Sequence, residues 1–222
     1  MSTMAQAQQR LAAASSGCYD ARRTAALSGV PQRTVYDWAN KEIVIPSVSR
    51  IQEKLWSYQD LLVLRAVAWL RKAKLASDTQ TIPASPMRQV REALEMTVKR
   101  GLDPWSDAVR LLVDTAGQIF VSEPDGRVFS VGGRQHVLDS QNIDLLDAFD
   151  QKGPNLVKPS ERLRITPGRL SGEPYIAGTR LSTLSIKALA DDGYRASAIA
   201  RMYDVDEKGV AEAIHFEQTM AA

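Results

Sequence analysis

The sequence predicts a mainly α-helical protein with small β elements. It should contain a winged helix-turn-helix domain, a small α+β middle segment with a three-stranded meander, and a C-terminal trihelical, helix-turn-helix-like domain. Three observations lead to this prediction. Two short helical patterns meet at a Gly-Val-Pro turn within residues 19–41, three β-prone runs follow one another in the middle, and three helical patterns come after Thr183.

The stretch Tyr19–Lys41 predicts a pair of helices joined by a tight turn. An Ala-rich helix ends near Ser28, Gly29 allows a left-handed turn, and Pro31 suits the first position of the second helix. In the second helix, helical spacing predicts a buried face of Val35, Trp38 and Ala39. It predicts an exposed face of Gln32, Arg33, Tyr36, Asp37 and Asn40.

The exposed face has the side chains that a DNA recognition helix uses. Arginine can bond two acceptors on a guanine edge, Gln and Asn can pair with adenine, and Tyr can reach a phosphate. The alternative is a solvated helical hairpin in which Arg33 and Asp37 only pair with each other at i,i+4.

Composition indicates a globular protein with a local basic region. The net charge of the 222 residues is +2, but residues 1–80 carry 11 Lys and Arg against 6 Asp and Glu, whereas residues 81–150 carry 7 against 11. DNA contact is therefore expected in the first third. Cys18 is the single cysteine, and no apolar run is long enough for a membrane span, so a cytoplasmic protein is expected. Residues 1–17 are expected to be disordered.

The residues after Lys41 predict a β-hairpin wing followed by a strong helix. The β-prone runs 43–45 and 55–58 flank a segment that holds Arg50 and Lys54 near its tip, where a wing would touch phosphate. Ser57 and Asp60 resemble a capping box for a helix from Gln59 to about Lys74.

Residues 18–75 resemble the MerR-like winged helix-turn-helix domain of certain antitoxins. The resemblance is carried by Tyr19, Ala25-Ala26, Gly29-Val30-Pro31, Arg33-Thr34-Val35-Tyr36-Asp37-Trp38, and Trp56-Ser57-Tyr58 followed by Asp60-Leu61. It implies that the second helix enters the major groove with Gln32, Arg33, Thr34 and Tyr36.

The middle segment, residues 86–150, is predicted to be a small α+β domain after a polar connector at 76–86. A helix from Met87 to Arg100 should stop at Gly101, and three β-prone runs at 108–114, 118–122 and 127–131 predict a meander. A short acidic helix is expected from Gln141 to Asp150. The aspartates of this region fit a solvated face better than a magnesium site (Asp139, Asp144, Asp147 and Asp150).

A second linker at 151–161 precedes a C-terminal domain at 162–218. Three helices are predicted there, from Thr183 to Asp191 with Gly193 as its stop, from Ala196 to Met202, and from Glu207 to Gln218 capped by Asp206. The Gly172-x-Pro174-x-Ile176-x-Gly178-Thr179-Arg180 motif resembles a trihelical domain of unknown function found in antitoxins encoded beside PIN-like ribonuclease toxins. Both resemblances together imply a VapB-type antitoxin.

That resemblance implies a non-enzymatic antitoxin that represses its own operon, as a homodimer on double-stranded operator DNA, without a membrane, metal or cofactor. The predicted DNA contacts are Arg22, Arg23, Gln32, Arg33, Thr34, Tyr36, Lys41, Arg50 and Lys54. The predicted toxin contacts are Arg164, Arg169 and Arg180, because a guanidinium suits the acidic active site that the resemblance implies for the toxin.

Three alternatives stay open at this point. One is a regulator that responds to a small ligand through the middle segment. In the second, the C-terminal domain dimerises or contacts DNA itself. The third, a metal-dependent nuclease, has the weakest support.

Overall fold

The computed structural model describes residues 17–77, 80–100, 110–122, 127–131, 146–147, 159–166 and 168–221. Within these ranges the chain forms seven α-helices and small antiparallel sheets. The predictions for residues 1–16, Gly101 and the linker residues 151–158 lie outside the described residues. The architecture is mixed α/β.

The chain forms two compact units, each described separately below. The first unit is drawn from residues 1–61 and 153–222, and the second from residues 62–152. Segments before and after the predicted second linker therefore share a unit, and the boundaries of the three predicted domains stay predictions.

The two predicted N-terminal helices are present as α1 (Ala21–Ser28) and α2 (Gln32–Asn40). The side chain of Asp20 caps α1 by accepting a hydrogen bond from the backbone N–H of Arg23 at 2.7 Å. Gly29 ends α1 in the left-handed conformation (φ 70°), and its N–H bonds the Ala25 carbonyl at 2.9 Å. The buried residues of α2 are Val35, Trp38 and Ala39, as the spacing predicted.

The predicted two-stranded wing is not formed. Residues 43–45 make no strand because the backbone N–H groups of Ile43 and Val44 bond the Trp38 carbonyl at the end of α2. Pro46 has no N–H to offer to a strand ladder, and Ser47 N–H bonds the Asp60 carboxylate at 2.9 Å. What remains is a loop closed by one antiparallel bridge between Ser49 and Leu55.

The capping box of the third helix, α3 (Tyr58–Leu70), is confirmed. Asp60 accepts a hydrogen bond from Ser57 N–H at 2.8 Å, and Ser57 Oγ accepts one from Asp60 N–H at 3.3 Å. Burial raises the pKa of Asp60, although the four hydrogen bonds from Ser47 and Ser57 act against the rise.

The second unit differs from the sequence prediction at the end of α3. That helix stops at Leu70, and Lys74 opens a strand, because Lys74–Ser77 (β1) pairs antiparallel with Gln80–Ile82 (β2). This pairing overrides the helical propensity of residues 71–74. The next helix, α4 (Met87–Lys99), is confirmed.

The predicted meander is confirmed and has a fourth strand. Its strands pair antiparallel in the order β5-β4-β3-β6 and are β3 (Arg110–Val113), β4 (Ile119–Ser122), β5 (Val128–Ser130) and β6 (Leu146–Asp147). The prediction of an acidic helix is wrong at β6, which pairs with the free edge of β3. Edge pairing here outweighs local propensity. Residues 141–145 and 148–150, with Asp139, lie outside the described part.

The C-terminal part of the first unit opens with two short paired strands, β7 (Leu163–Arg164) and β8 (Tyr175–Ile176). The three predicted helices follow as α5 (Thr183–Asp191), α6 (Ala196–Tyr203) and α7 (Glu207–Ala221). Asp206 accepts from Lys208 N–H at 3.2 Å, which is the predicted cap of α7. α7 packs against α5, α6, both strands and α1. Among the described residues, no helix has the length and apolar character of a membrane span.

Candidate nucleic-acid interface

The exposed face of α2 carries the polar side chains that the sequence predicted there. Gln32, Arg33 and Asn40 are exposed, Thr34 is half-buried, and the Tyr36 side chain is 41% exposed. Their positions follow from the packing of the opposite face, which holds α2 against α1. The arrangement presents donors and acceptors outward from a rigid element.

Arg33 is not paired with Asp37. The Asp37 carboxylate instead accepts an ion pair from Lys41 one turn later, at 2.9 Å. Arg33 has no ion-pair or hydrogen-bond partner within the part of the chain that the structure describes. The hairpin alternative, in which Arg33 and Asp37 neutralise each other, therefore loses its central pair.

The loop between Ser49 and Leu55 lies beside α2. Lys54 Nζ donates to Asn40 Oδ1 at 2.6 Å and lies 6.0 Å from the centroid of the Tyr36 ring. Tyr36 in turn packs edge-on against the buried Trp56, with ring centroids 6.0 Å apart. Arg50 is exposed in this loop. Residues of α2 and of the loop thus form one continuous polar surface, which we call the α2–loop surface.

The structure corrects the prediction for Arg23, which was expected to contact a phosphate. The Arg23 guanidinium is buried, and it donates from both terminal nitrogens to the Glu217 carboxylate, at 2.8 and 2.9 Å. Its Nε donates to Glu173 at 3.0 Å. The neighbouring Arg22 is exposed and stays available as a surface cation. Arg23 is therefore a structural residue that joins α1 to α7.

Burial and pairing oppose each other in this cluster, which we call the Arg23 cluster (Arg23, Glu173 and Glu217). Burial disfavours the charge of Arg23, but hydrogen bonds to Glu217 and the charges of both carboxylates raise its pKa. Burial raises the pKa of Glu173, with the Arg23 charge acting the other way. Glu217 also accepts a short hydrogen bond from the Thr183 hydroxyl. One guanidinium thus binds two carboxylates.

A second link between the same segments involves Tyr19 and Gly172. The Tyr19 hydroxyl donates to the Gly172 carbonyl at 2.7 Å, and Cys18 N–H donates to the Ser171 carbonyl at 2.9 Å. Burial raises the pKa of Tyr19. No local pattern in the sequence predicts these contacts, because they join residues more than 150 positions apart.

A cleft of about 510 Å³ opens above the Arg23 cluster, between α1, α5 and α7. Its lining is mixed polar and apolar: Cys18, Tyr19, Asp20, Arg22, Arg23, Ala26, Glu173, Leu184, Lys187, Ala188, Asp191, Glu217 and Met220. Its volume is in the range of small-molecule sites.

The three predicted toxin contacts differ in how their guanidinium groups are used. Arg164 donates to the backbone carbonyls of Ser160, Glu161 and Leu163. Arg169 donates to the Thr179 carbonyl at 2.6 Å and lies 4.6 Å from the Tyr175 ring centroid. Arg180 is exposed and has no hydrogen-bond or ion-pair partner among the described residues. Arg180 is the member of the set whose guanidinium is open to a partner.

Comparison with known proteins gives one match. Residues 163–216 match the model of the family described as Protein of unknown function (DUF433). The match covers β7, β8, α5, α6 and all but the last residues of α7. No curated protein and no solved structure matches the chain.

Proposed function

We propose that the protein is a non-enzymatic antitoxin and autorepressor. In this proposal the α2–loop surface binds operator DNA, and the C-terminal domain binds a PIN-like ribonuclease toxin encoded in the same operon. The chain acts as a homodimer on a two-fold related site in the cytoplasm. The proposal rests on the surface chemistry of α2 and on the resemblance of residues 18–75 and 162–218 to antitoxin domains.

The observation that carries the DNA-binding part is the exposed and unpaired Arg33 on α2. In the proposed complex Gln32, Arg33, Thr34 and Tyr36 face base edges or adjacent phosphates in the major groove. Phosphate contacts come from the surrounding cations Arg22, Lys41, Arg50 and Lys54. Because each neutralised phosphate releases counterions, affinity should fall steeply with salt concentration.

Replacing Arg33 with alanine is expected to weaken binding to the DNA upstream of the operon by ~1–3 kcal/mol and to relax base preference at one position. The physical reason is the loss of two hydrogen bonds to a guanine edge. Fluorescence anisotropy titrations at fixed salt concentration, with a panel of single-base substitutions in the duplex, measure both effects.

Arg88→Ala is the matched control for this experiment. Arg88 is also an arginine on a helix surface, its side chain is 83% exposed, and it lies on α4 in the other unit. The control removes the same charge and should leave affinity and base preference as in the wild type. Equal affinity of Arg33→Ala and wild type would remove Arg33 from the interface.

The antitoxin part of the proposal is supported by the C-terminal motif and its geometry. Gly178 adopts a positive φ of 81° in a turn that Thr179 N–H closes on the Ile176 carbonyl at 3.0 Å. The turn presents Arg180 to solvent directly after it. An exposed guanidinium on a rigid turn can pair with the carboxylates that a metal-dependent ribonuclease gathers around its metal.

Arg180→Ala is expected to weaken the complex with the toxin at least tenfold. Removing one member of a desolvated charge pair leaves the toxin carboxylates without their partner. Biolayer interferometry with the co-expressed toxin measures the change, and Arg195→Ala, an exposed arginine of the same domain outside the motif, is the control. A toxin complex that survives Arg180→Ala unchanged would assign neutralisation to another surface.

The ligand-responsive regulator remains the alternative function, and the cleft above the Arg23 cluster favours it. That cleft lies in the first unit, whereas the sequence placed a ligand site in the middle segment. A regulator of this kind needs no toxic neighbour. Expression of the neighbouring reading frame alone therefore discriminates between the two functions.

A further inference from the structure

Three exposed large apolar side chains lie close together in sequence, two in the segment just before the Ser49–Leu55 loop and one at its tip. They are Ile45, Val48 and Ile51, and Ile51 is 80% exposed, the highest value among the large apolar residues described. Single exposed apolar residues are common on protein surfaces, but three within seven positions beside a candidate interface indicate a contact surface.

The tip of the loop has a defined shape. Ser49 and Leu55 close it with two backbone hydrogen bonds of 3.0 and 3.1 Å, and Ser49 Oγ donates to the Ile51 carbonyl at 3.1 Å. Gln52 adopts a positive φ of 59°, an unfavourable conformation for a residue with a side chain. These contacts hold the Ile51 side chain outward at the end of the loop.

The positive charges around Ile51 favour a negatively charged partner. Arg50 is exposed beside it, and Lys54 returns to α2 through its hydrogen bond with Asn40. Glu53 is the one carboxylate of the loop, so the net charge of residues 49–55 is +1. An apolar tip flanked by cations is complementary to a DNA minor groove, where phosphates line the rim and base edges form the floor.

We propose that the loop inserts Ile51 as an apolar wedge into the minor groove that flanks the major groove occupied by α2. This inference rests on the proposed DNA-binding function. Architectural proteins use isoleucine, leucine and phenylalanine in this way, and the wedge partly unstacks one base step and bends the duplex. Arg50 and Lys54 contact the phosphates on either side. Such a contact adds sequence preference through the deformability of the step.

The test uses the full chain and a duplex that it selects from a randomised pool. 2-Aminopurine is placed in turn at the steps flanking the sequence that Arg33 reads. Wild type should raise the fluorescence at one step, because the base there loses its stacking neighbour. Ile51→Ser should abolish that rise and weaken binding about tenfold, whereas Ile51→Leu should retain both properties.

The matched control is Val98→Ser, because Val98 is 77% exposed on α4, which belongs to the other unit. It should behave as wild type, and neither serine variant should shift the thermal midpoint. If no duplex is enriched from the pool, the proposed DNA-binding function is wrong, and the proposed insertion of Ile51 is wrong as well.

If a duplex is enriched and Arg33→Ala weakens binding, but Ile51→Ser matches wild type, the DNA-binding function stands and the wedge is wrong. Ile51→Ser could instead change the mass of the protein on sizing and give the same 2-aminopurine fluorescence as wild type. That result would show that the apolar residues join two copies of the chain. That outcome also overturns the proposal.

Discussion

Arg23→Ala is expected to lower the free energy of unfolding of the first unit by ~3–5 kcal/mol. The substitution removes the only cation of the buried Arg23 cluster and leaves the Glu173 and Glu217 carboxylates uncompensated inside the fold. A buried carboxylate (Glu217) and a half-buried one (Glu173) without a partner are far more costly than a lost surface pair. Urea unfolding followed by tryptophan fluorescence measures the loss, in a background with Trp69→Phe and Trp105→Phe so that Trp38 and Trp56, both in this unit, are the reporters.

Arg22→Ala is the control, because it removes the same side chain from the neighbouring position of α1. Arg22 is exposed, so its loss should change the stability by no more than about 0.5 kcal/mol. A double substitution, Arg23→Met with Glu217→Met, should recover part of the stability by removing one of the two uncompensated carboxylates, the more buried one. Equal stability of Arg22→Ala and Arg23→Ala would contradict the buried ion pair.

The Arg23 cluster also supports the helix pair that carries the proposed DNA-binding surface. Arg23 lies on α1, which supports α2, whereas both of its carboxylate partners follow residue 162. A fragment that ends at Asn155 lacks both carboxylates and also the Gly172 carbonyl that Tyr19 bonds. If such a fragment fails to bind DNA, the cause can be the lost support for α1 as well as the lost C-terminal domain.

Gly172→Ala is expected to destabilise the first unit by ~2–5 kcal/mol. Gly172 has a positive φ of 84°, and a Cβ at this position would lie 2.0 Å from the Tyr19 hydroxyl oxygen and 2.7 Å from Cζ. The backbone strain and the steric clash add together. The clash falls on a buried side chain that is fixed by its own hydrogen bond, so relief requires the two segments to separate.

Gly178→Ala separates the two contributions. Gly178 also has a positive φ, 81°, but a Cβ there would meet no atom within 4 Å. The stability that Gly178→Ala loses should therefore equal the backbone strain alone, ~1–2 kcal/mol. Tyr19→Phe in the Gly172→Ala background should recover part of the stability, because it removes the nearest atom and leaves Cζ at 2.7 Å. If the two glycine variants are equally stable in urea, the contact between Tyr19 and Gly172 is not formed.

Local signals predicted the parts of the fold that are determined locally. Gly29, the Ser57–Asp60 capping box, Gly193 and Asp206 mark helix ends by hydrogen bonds or backbone conformation within a few residues, and those ends are found where expected. The face of α2 followed from the 3.6-residue period in the same way.

The errors concern pairing between segments, which ranges from the hairpin at 74–82 to contacts between residues more than 150 positions apart. Leu146 and Asp147 form a strand because the edge of β3 is available, and residues 74–77 form a strand because Gln80–Ile82 lies opposite. The role of Arg23 depends on Glu217, 194 positions later, so the sequence showed a basic residue near a candidate DNA-binding helix and no reason to bury it. In each of these cases the partner segment, and not the propensity of the segment itself, decides the structure.

The central claim is most directly tested by placing this chain, its upstream DNA and the neighbouring reading frame in one reporter strain. The proposal predicts that the neighbour alone arrests growth and that the chain restores growth and represses a reporter driven by the upstream DNA. It also predicts that Arg33→Ala restores growth but no longer represses, whereas Arg180→Ala represses but restores growth less well. A harmless neighbour together with an unrepressed reporter would contradict both parts of the proposed function.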